Sequence, residues 1–165
     1  MCVTPVARNL GETQEGAANV ETEPLRRLMT LELSELASEL NRAASGVSKN
    51  EGAVLFRSGD PVSGIFIVRK GAVRLSLGVA NGLYPPRTLG PGEIAGLPAT
   101  LTGHYSLTAE VATPHAELGY VPSQRVSELL EMSPRLCFLA MRLISEEIAR
   151  VRTALKEAPS LHHPS

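Results

Sequence analysis

Tryptophan is absent from this 165-residue sequence, and all aromatic residues together make up 4% of it. The core must therefore rest on Leu, Val, Ile and Ala. Asp60 is the only aspartate, and no acid/base pair or nucleophile–base arrangement stands out, so an enzyme is not expected. The two cysteines, Cys2 and Cys137, can form neither a disulfide framework nor a metal cluster. No stretch approaches the roughly 20 apolar residues of a membrane span, and the N-terminus lacks the basic-then-apolar order of a signal peptide. A reducing cytoplasm is the expected compartment. The formal net charge is −1, with a pI near 6.4. That balance offers no basic footprint for a duplex, whose binding depends on clustered Lys and Arg.

What is present divides the chain into segments with different periods. Residues 1–23 are polar, with no apolar period, and read as a flexible tail. In 24–45, Leu25, Leu28, Met29, Leu33, Leu36, Ala37 and Leu40 recur at steps suited to an amphipathic helix, which Ser45 and Gly46 should end. Residues 52–122 are punctuated by glycine. Val54, Phe56, Ile65, Ile67, Val73, Leu75 and Leu77 fall mostly at alternate positions, and Gly59-Asp60-Pro61 and Asn81-Gly82 mark turns. Many short strands at such spacing predict a sandwich or jelly-roll barrel.

Residues 123–157 return to a helical period. Ser123 is placed to cap a short helix, and Ser133-Pro134 to open a longer one. Along the longer one, Cys137, Met141, Ile144, Ile148, Val151 and Leu155 alternate steps of four and three, the spacing of a heptad stripe. Leu136, Ala140 and Leu143 form a second apolar line beside it. One line can cover the barrel while the other meets a second copy of the chain, which predicts a homodimer; alternatively both lines cover the barrel. The tail, 158–165, ends in His162-His163-Pro164-Ser165 and lacks the further ligands of a metal site. Neither a metal nor another cofactor is expected.

Three segments carry a family resemblance: Gly52-Ala53-Val54-Leu55-Phe56-Arg57-Ser58-Gly59-Asp60; Gly64-Ile65-Phe66-Ile67-Val68 with Lys70-Gly71-Ala72-Val73-Arg74-Leu75; and Leu89-Gly90-Pro91-Gly92-Glu93-Ile94-Ala95-Gly96. In this order, from about residue 24 to residue 157, the chain resembles the regulatory domain of Crp/Fnr transcription factors. The resemblance implies a mixed α and β, mainly β fold. A double-stranded β-helix (jelly-roll) barrel would lie between an N-terminal helix and a long C-terminal one. It also implies a ligand site at the phosphate-binding cassette, here Gly96, Leu97, Ala99, Tyr105 and Ser106. In cyclic-nucleotide binders of this family, a Glu after the cassette glycine accepts the ribose hydroxyl. An Arg about ten residues on neutralises the phosphate, with charge and paired donors together.

Here Leu97 stands in place of the acid, Pro98 removes an N–H from the turn, and Tyr105 falls at the arginine position. Each buried charge-assisted hydrogen bond contributes about 1.5–3 kcal/mol. Losing both anchors should weaken binding about a thousandfold or more, so cAMP and cGMP are not expected as ligands at micromolar levels. Leu97, Pro98, Leu101, Tyr105 and Leu107 make the site more apolar. It either holds a less charged ligand or is filled by its own side chains. The resemblance further implies a winged helix-turn-helix after the long helix, for which no residues remain. The Met1 start and irregular tail point to a naturally short chain, a fragment of a longer regulator being the alternative. Cys2 alone cannot hold the iron–sulfur cluster of the family's oxygen sensors, and His104 and His115 read as surface residues, not haem ligands. The expected function is a homodimeric regulatory module with an altered ligand site and a protein partner, without DNA contact by this chain. The alternative is a small-molecule sensor domain, cyclic nucleotides included among its ligands, from a transcription regulator whose DNA-binding domain is absent.

Overall fold

A computed structural model describes residues 22–77 and 85–157. The expected tails, the Asn81-Gly82 turn, Cys2 and the terminal histidines lie outside the described residues. So do the side chains of Leu25, Leu28, Met29 and Leu155. The chain divides between Leu31 and Glu32 into two compact units, the first supplying the leading turns of helix α1 (Thr22–Arg42).

In the second unit, Leu36, Ala37 and Leu40 are the buried face of α1. The helix stops just past Arg42, where Arg69 binds its last turn and the residues that follow. The Arg69 guanidinium donates to Asn41 Oδ1 (2.8 Å), Asn41 O (3.5 Å) and Ala44 O (3.4 Å). Gly119 makes this approach feasible, because a Cβ there would lie 2.7 Å from Asn41 Oδ1 and 2.9 Å from Ala44 Cβ.

Eight strands follow: β1 (Ser45–Asn50), β2 (Val54–Phe56), β3 (Gly64–Lys70), β4 (Val73–Ser76), β5 (Arg87–Leu89), β6 (Ile94–Ala95), β7 (Thr108–Val111) and β8 (His115–Pro122). They form two antiparallel sheets of four, ordered β1-β8-β3-β6 and β2-β7-β4-β5. Mixed α and β with two facing sheets is the expected class of fold. One boundary is corrected. Strand begins at Ser45, inside the stretch assigned to the helix and ahead of Gly52, where the barrel was expected to start. Ser45–Asn50 is mostly exposed and shows no apolar alternation; backbone pairing with β8 holds it as an edge strand.

Strand β3 explains how the core divides. Phe66 and Val68 point between the sheets, among Phe56, Val73, Leu75, Leu89, Ala109, Val111 and Leu118. Ile65 and Ile67 point outward, under the helices, with Leu36, Leu40, Val121 and Val126. Both faces are covered, so the run is continuously apolar.

After β8 come α3 (Ser123–Met132) and α4 (Pro134–Glu157). Ser133 Oγ accepts the N–H of Leu136 at 3.3 Å, which caps α4 as its sequence predicts. Ser123 does not cap α3. Pro122 occupies the cap position, and Ser123 is already the first helical residue.

The heptad stripe also needs correction. Leu136, Leu139, Ala140 and Ile144 pack into the core beneath the helices. Ile144, assigned to the free stripe, is thus a core residue at 8% exposure, while Met141 and Ile148 stand at 58% and 52%. Phe138, outside the stripe, is 61% exposed. The open apolar line is Phe138, Met141 and Ile148. Ion pairs from Arg135 to Glu35 (2.7 Å) and from Arg142 to Glu32 tie α4 to the second unit's part of α1. Among the described residues, no helix is long and apolar enough to cross a membrane.

Candidate functional site

The site is built where the chain leaves β6. Gly96 adopts φ +90°, a left-handed conformation that L side chains rarely take. A Cβ there would lie 3.0 Å from the Tyr105 ring and 3.3 Å from that of Phe56. The short helix α2 (Ala99–Thr102) follows Pro98 and ends on Gly103 at φ +85°, whose N–H returns to Ala99 O at 2.8 Å. The turn spends its own donors: the N–H groups of Ala99, Thr100 and Leu101 bond to the carbonyls of Gly96, Leu97 and Pro98, each at 3.1 Å.

Leu97 is fully buried with Ile65, Ile67 and Val126, in the core beneath the helices. Tyr105 turns into the barrel, 3% exposed, its ring stacked on Phe56 at 3.9 Å between centroids and 7° between planes. Its hydroxyl donates to Gly64 O (2.7 Å) and accepts the N–H groups of Gly64 and Ser63, both at 3.1 Å. Tyr105, read from sequence as standing at the arginine position, thus holds the start of β3 in place. Ser106 is exposed, and its carbonyl accepts from Ser58 Oγ at 3.0 Å. His104 is exposed and pairs through its backbone with Pro61.

Gly96, Leu97, Ala99, Tyr105 and Ser106 all border one cavity of about 200 Å³. Its walls are mainly apolar: Phe56, Leu75, Ile94 and Leu107 from the barrel side, and Leu143, Ile148 and Val151 from α4. Ile148 and Val151, assigned on their spacing to a dimer stripe, therefore also face this space.

Three charged residues at the cavity were not singled out from sequence: Arg87, Glu147 and Arg152. Arg87 is held between two carboxylates, Glu147 at 2.7 Å and Glu93 at 2.8 Å. Glu93 in turn accepts the Gly90 N–H at 2.7 Å. Glu147 also meets Arg150 at 3.3 Å. An arginine does border the site, but its charge is already answered from both sides. No local motif announces this, because β5 and α4 lie far apart in the chain. Among the described residues, no group of three or more His, Cys, Asp or Glu is arranged to hold a metal ion.

Comparison with known proteins places the fold in a family. The family model of the cyclic nucleotide-binding domain matches residues 47–133. The transcriptional activator protein anr of Pseudomonas aeruginosa is 32% identical over 126 residues, covering 76% of this chain and 51% of that protein. FnrA of Stutzerimonas stutzeri, also a transcriptional activator, is 36% identical over 100 residues, covering 59% of this chain and 40% of that protein. The chain thus spans about half the length of the curated relatives it matches, or less. The catabolite activator protein of Thermus thermophilus shares the fold, with a TM-score of 0.61 at 23% identity over 74% of this chain and 58% of that one. With its two facing sheets, closing helices and cassette turn, the chain belongs to the cyclic nucleotide-binding domain family, in its Crp/Fnr branch.

Proposed function

We propose that this is a cytoplasmic regulatory domain whose ligand site no longer recognises cAMP or cGMP, and that it acts through dimerisation and a protein partner, without catalysis. One observation carries the reading. The two positions that would supply a carboxylate and a guanidinium hold Leu97 and Tyr105, both buried and committed to packing. A cyclic phosphate seated against the turn would leave water without a buried counter-charge, since Arg87 already serves Glu93 and Glu147 and Arg152, which also borders the cavity, is exposed. Calorimetry with cAMP and with cGMP should give no binding at micromolar levels. A dissociation constant below about 10 μM for either would overturn the reading.

The dimer surface in this reading is the open line of α4, Phe138, Met141 and Ile148, at steps of three and seven that keep one side of a helix. A second reading has one observation in its favour: the chain spans 51% of the length of anr, a transcriptional activator. The domain would then be the small-molecule sensor of a DNA-binding regulator whose reading head lies outside these residues. Mobility-shift assays on genomic fragments bear on both. Robust, salt-sensitive binding by these 165 residues would refute the absence of DNA contact.

A further inference from the structure

We infer that the cavity between the barrel and α4 takes a small amphipathic acid, with one apolar ring or short chain inside and one carboxylate at the mouth against Arg152. This deepens the reading above and rests on it, because it requires a site turned away from nucleotides.

The cavity measures about 200 Å³. An apolar cavity of about 150 Å³ is enough to hold benzene. Phe56, Leu75 and Leu107 line one side and Leu143, Ile148 and Val151 the other, so the gain from entry comes from leaving water. The interior offers little to a polar body. The Tyr105 hydroxyl is used by Gly64 and Ser63, and the N–H groups of Ala99, Thr100 and Leu101 by the turn's own carbonyls.

Charge selects the head group. Glu147 is answered by Arg87 and Arg150, which leaves no spare carboxylate there for a cationic ligand. Arg152 lines the same cavity from α4, is exposed, and has no ionic partner among the described residues. Its exposure places the charged end of the ligand at the water-facing mouth, where the carboxylate keeps part of its hydration. A buried phosphate would not.

The probe is 4-phenylbutanoate, titrated into the full chain beside its primary amide, with backbone amide shifts read by NMR. Saturable binding of the acid at about 1 mM or tighter is expected, with shifts at Ala99, Leu107 and Val151. The amide should bind about fivefold more weakly, the scale of one exposed ion pair. Arg152→Gln, a surface change, should bring the acid down to the amide's affinity, and Val151→Trp should remove both by filling the space. No saturable binding of the acid, equal affinity for acid and amide, or an acid preference that survives Arg152→Gln would overturn the proposal. The nucleotide titrations report separately. Tight cAMP binding would remove the reading of lost recognition, whereas silence from both acid and nucleotide would sink only the acid.

Discussion

Replacing Tyr105 by Phe removes a single oxygen and leaves the ring stacked on Phe56. That oxygen accepts the N–H groups of Gly64 and Ser63 and donates to Gly64 O, at 3.1, 3.1 and 2.7 Å. All of this lies where the Tyr105 side chain is 3% exposed, so water does not readily replace it. Each intramolecular hydrogen bond is worth about 1 kcal/mol net, and a buried group left unpaired costs about 1–3 kcal/mol. Tyr105→Phe is therefore expected to lower stability by about 2–4 kcal/mol, part of the upper range being relieved by small shifts at the start of β3. Equilibrium urea unfolding measures this, with an unchanged m-value indicating that stability alone has moved. A loss below about 0.5 kcal/mol would refute the structural role assigned to the hydroxyl, since that is the scale of an ordinary surface substitution. Tyr105 would then be free to serve a ligand.

Gly96→Ala forces a side chain into a left-handed turn against two rings, and a loss of about 1–3 kcal/mol in the same assay is expected. On α4 the two apolar sides should separate cleanly. Ile144→Glu buries a charge and should cost about 3 kcal/mol or more, whereas Met141→Glu should keep the fold and yield monomers in light scattering. A wild-type chain that is already monomeric would refute the dimer surface. The Arg135 hydrogen bond and charge hold the Glu35 carboxyl below its ordinary range. The stabilisation this gives is present above the ordinary carboxylate pKa, about 4.3, and is lost as pH falls through the depressed value. The stability advantage of wild type over Glu35→Gln should therefore be full above this point and vanish as pH falls through the depressed value, followed by urea unfolding at a series of pH values; a difference that persists unchanged into strong acid would contradict the pairing.

Much of the fold was legible because it rests on local signals. The apolar run Ile65–Val68, the Gly59-Asp60 turn and the Ser133-Pro134 helix start each act within a few residues. Strand β1 was not legible, because Ser45–Asn50 owes its conformation to β8, about seventy residues away, rather than to its own side chains. Ser123 failed as a cap because the chain enters α3 directly from an extended Pro122. The heptad stripe was misplaced for a related reason. Two neighbouring apolar lines on one helix show that it is widely apolar, and only the position of the barrel decides which line is covered.

At the candidate ligand site, sequence by itself determined what Leu97 and Tyr105 cannot supply: neither offers a carboxylate or a guanidinium, whatever the packing around them. Tertiary structure alone decided that the tyrosine hydroxyl is consumed by β3, that Arg87 is held between Glu93 and Glu147, and that about 200 Å³ is left open beside α4. Chemical identity travels with each residue. Unfilled volume and paired charge belong to groups that meet only when distant segments pack, and no local pattern records that meeting.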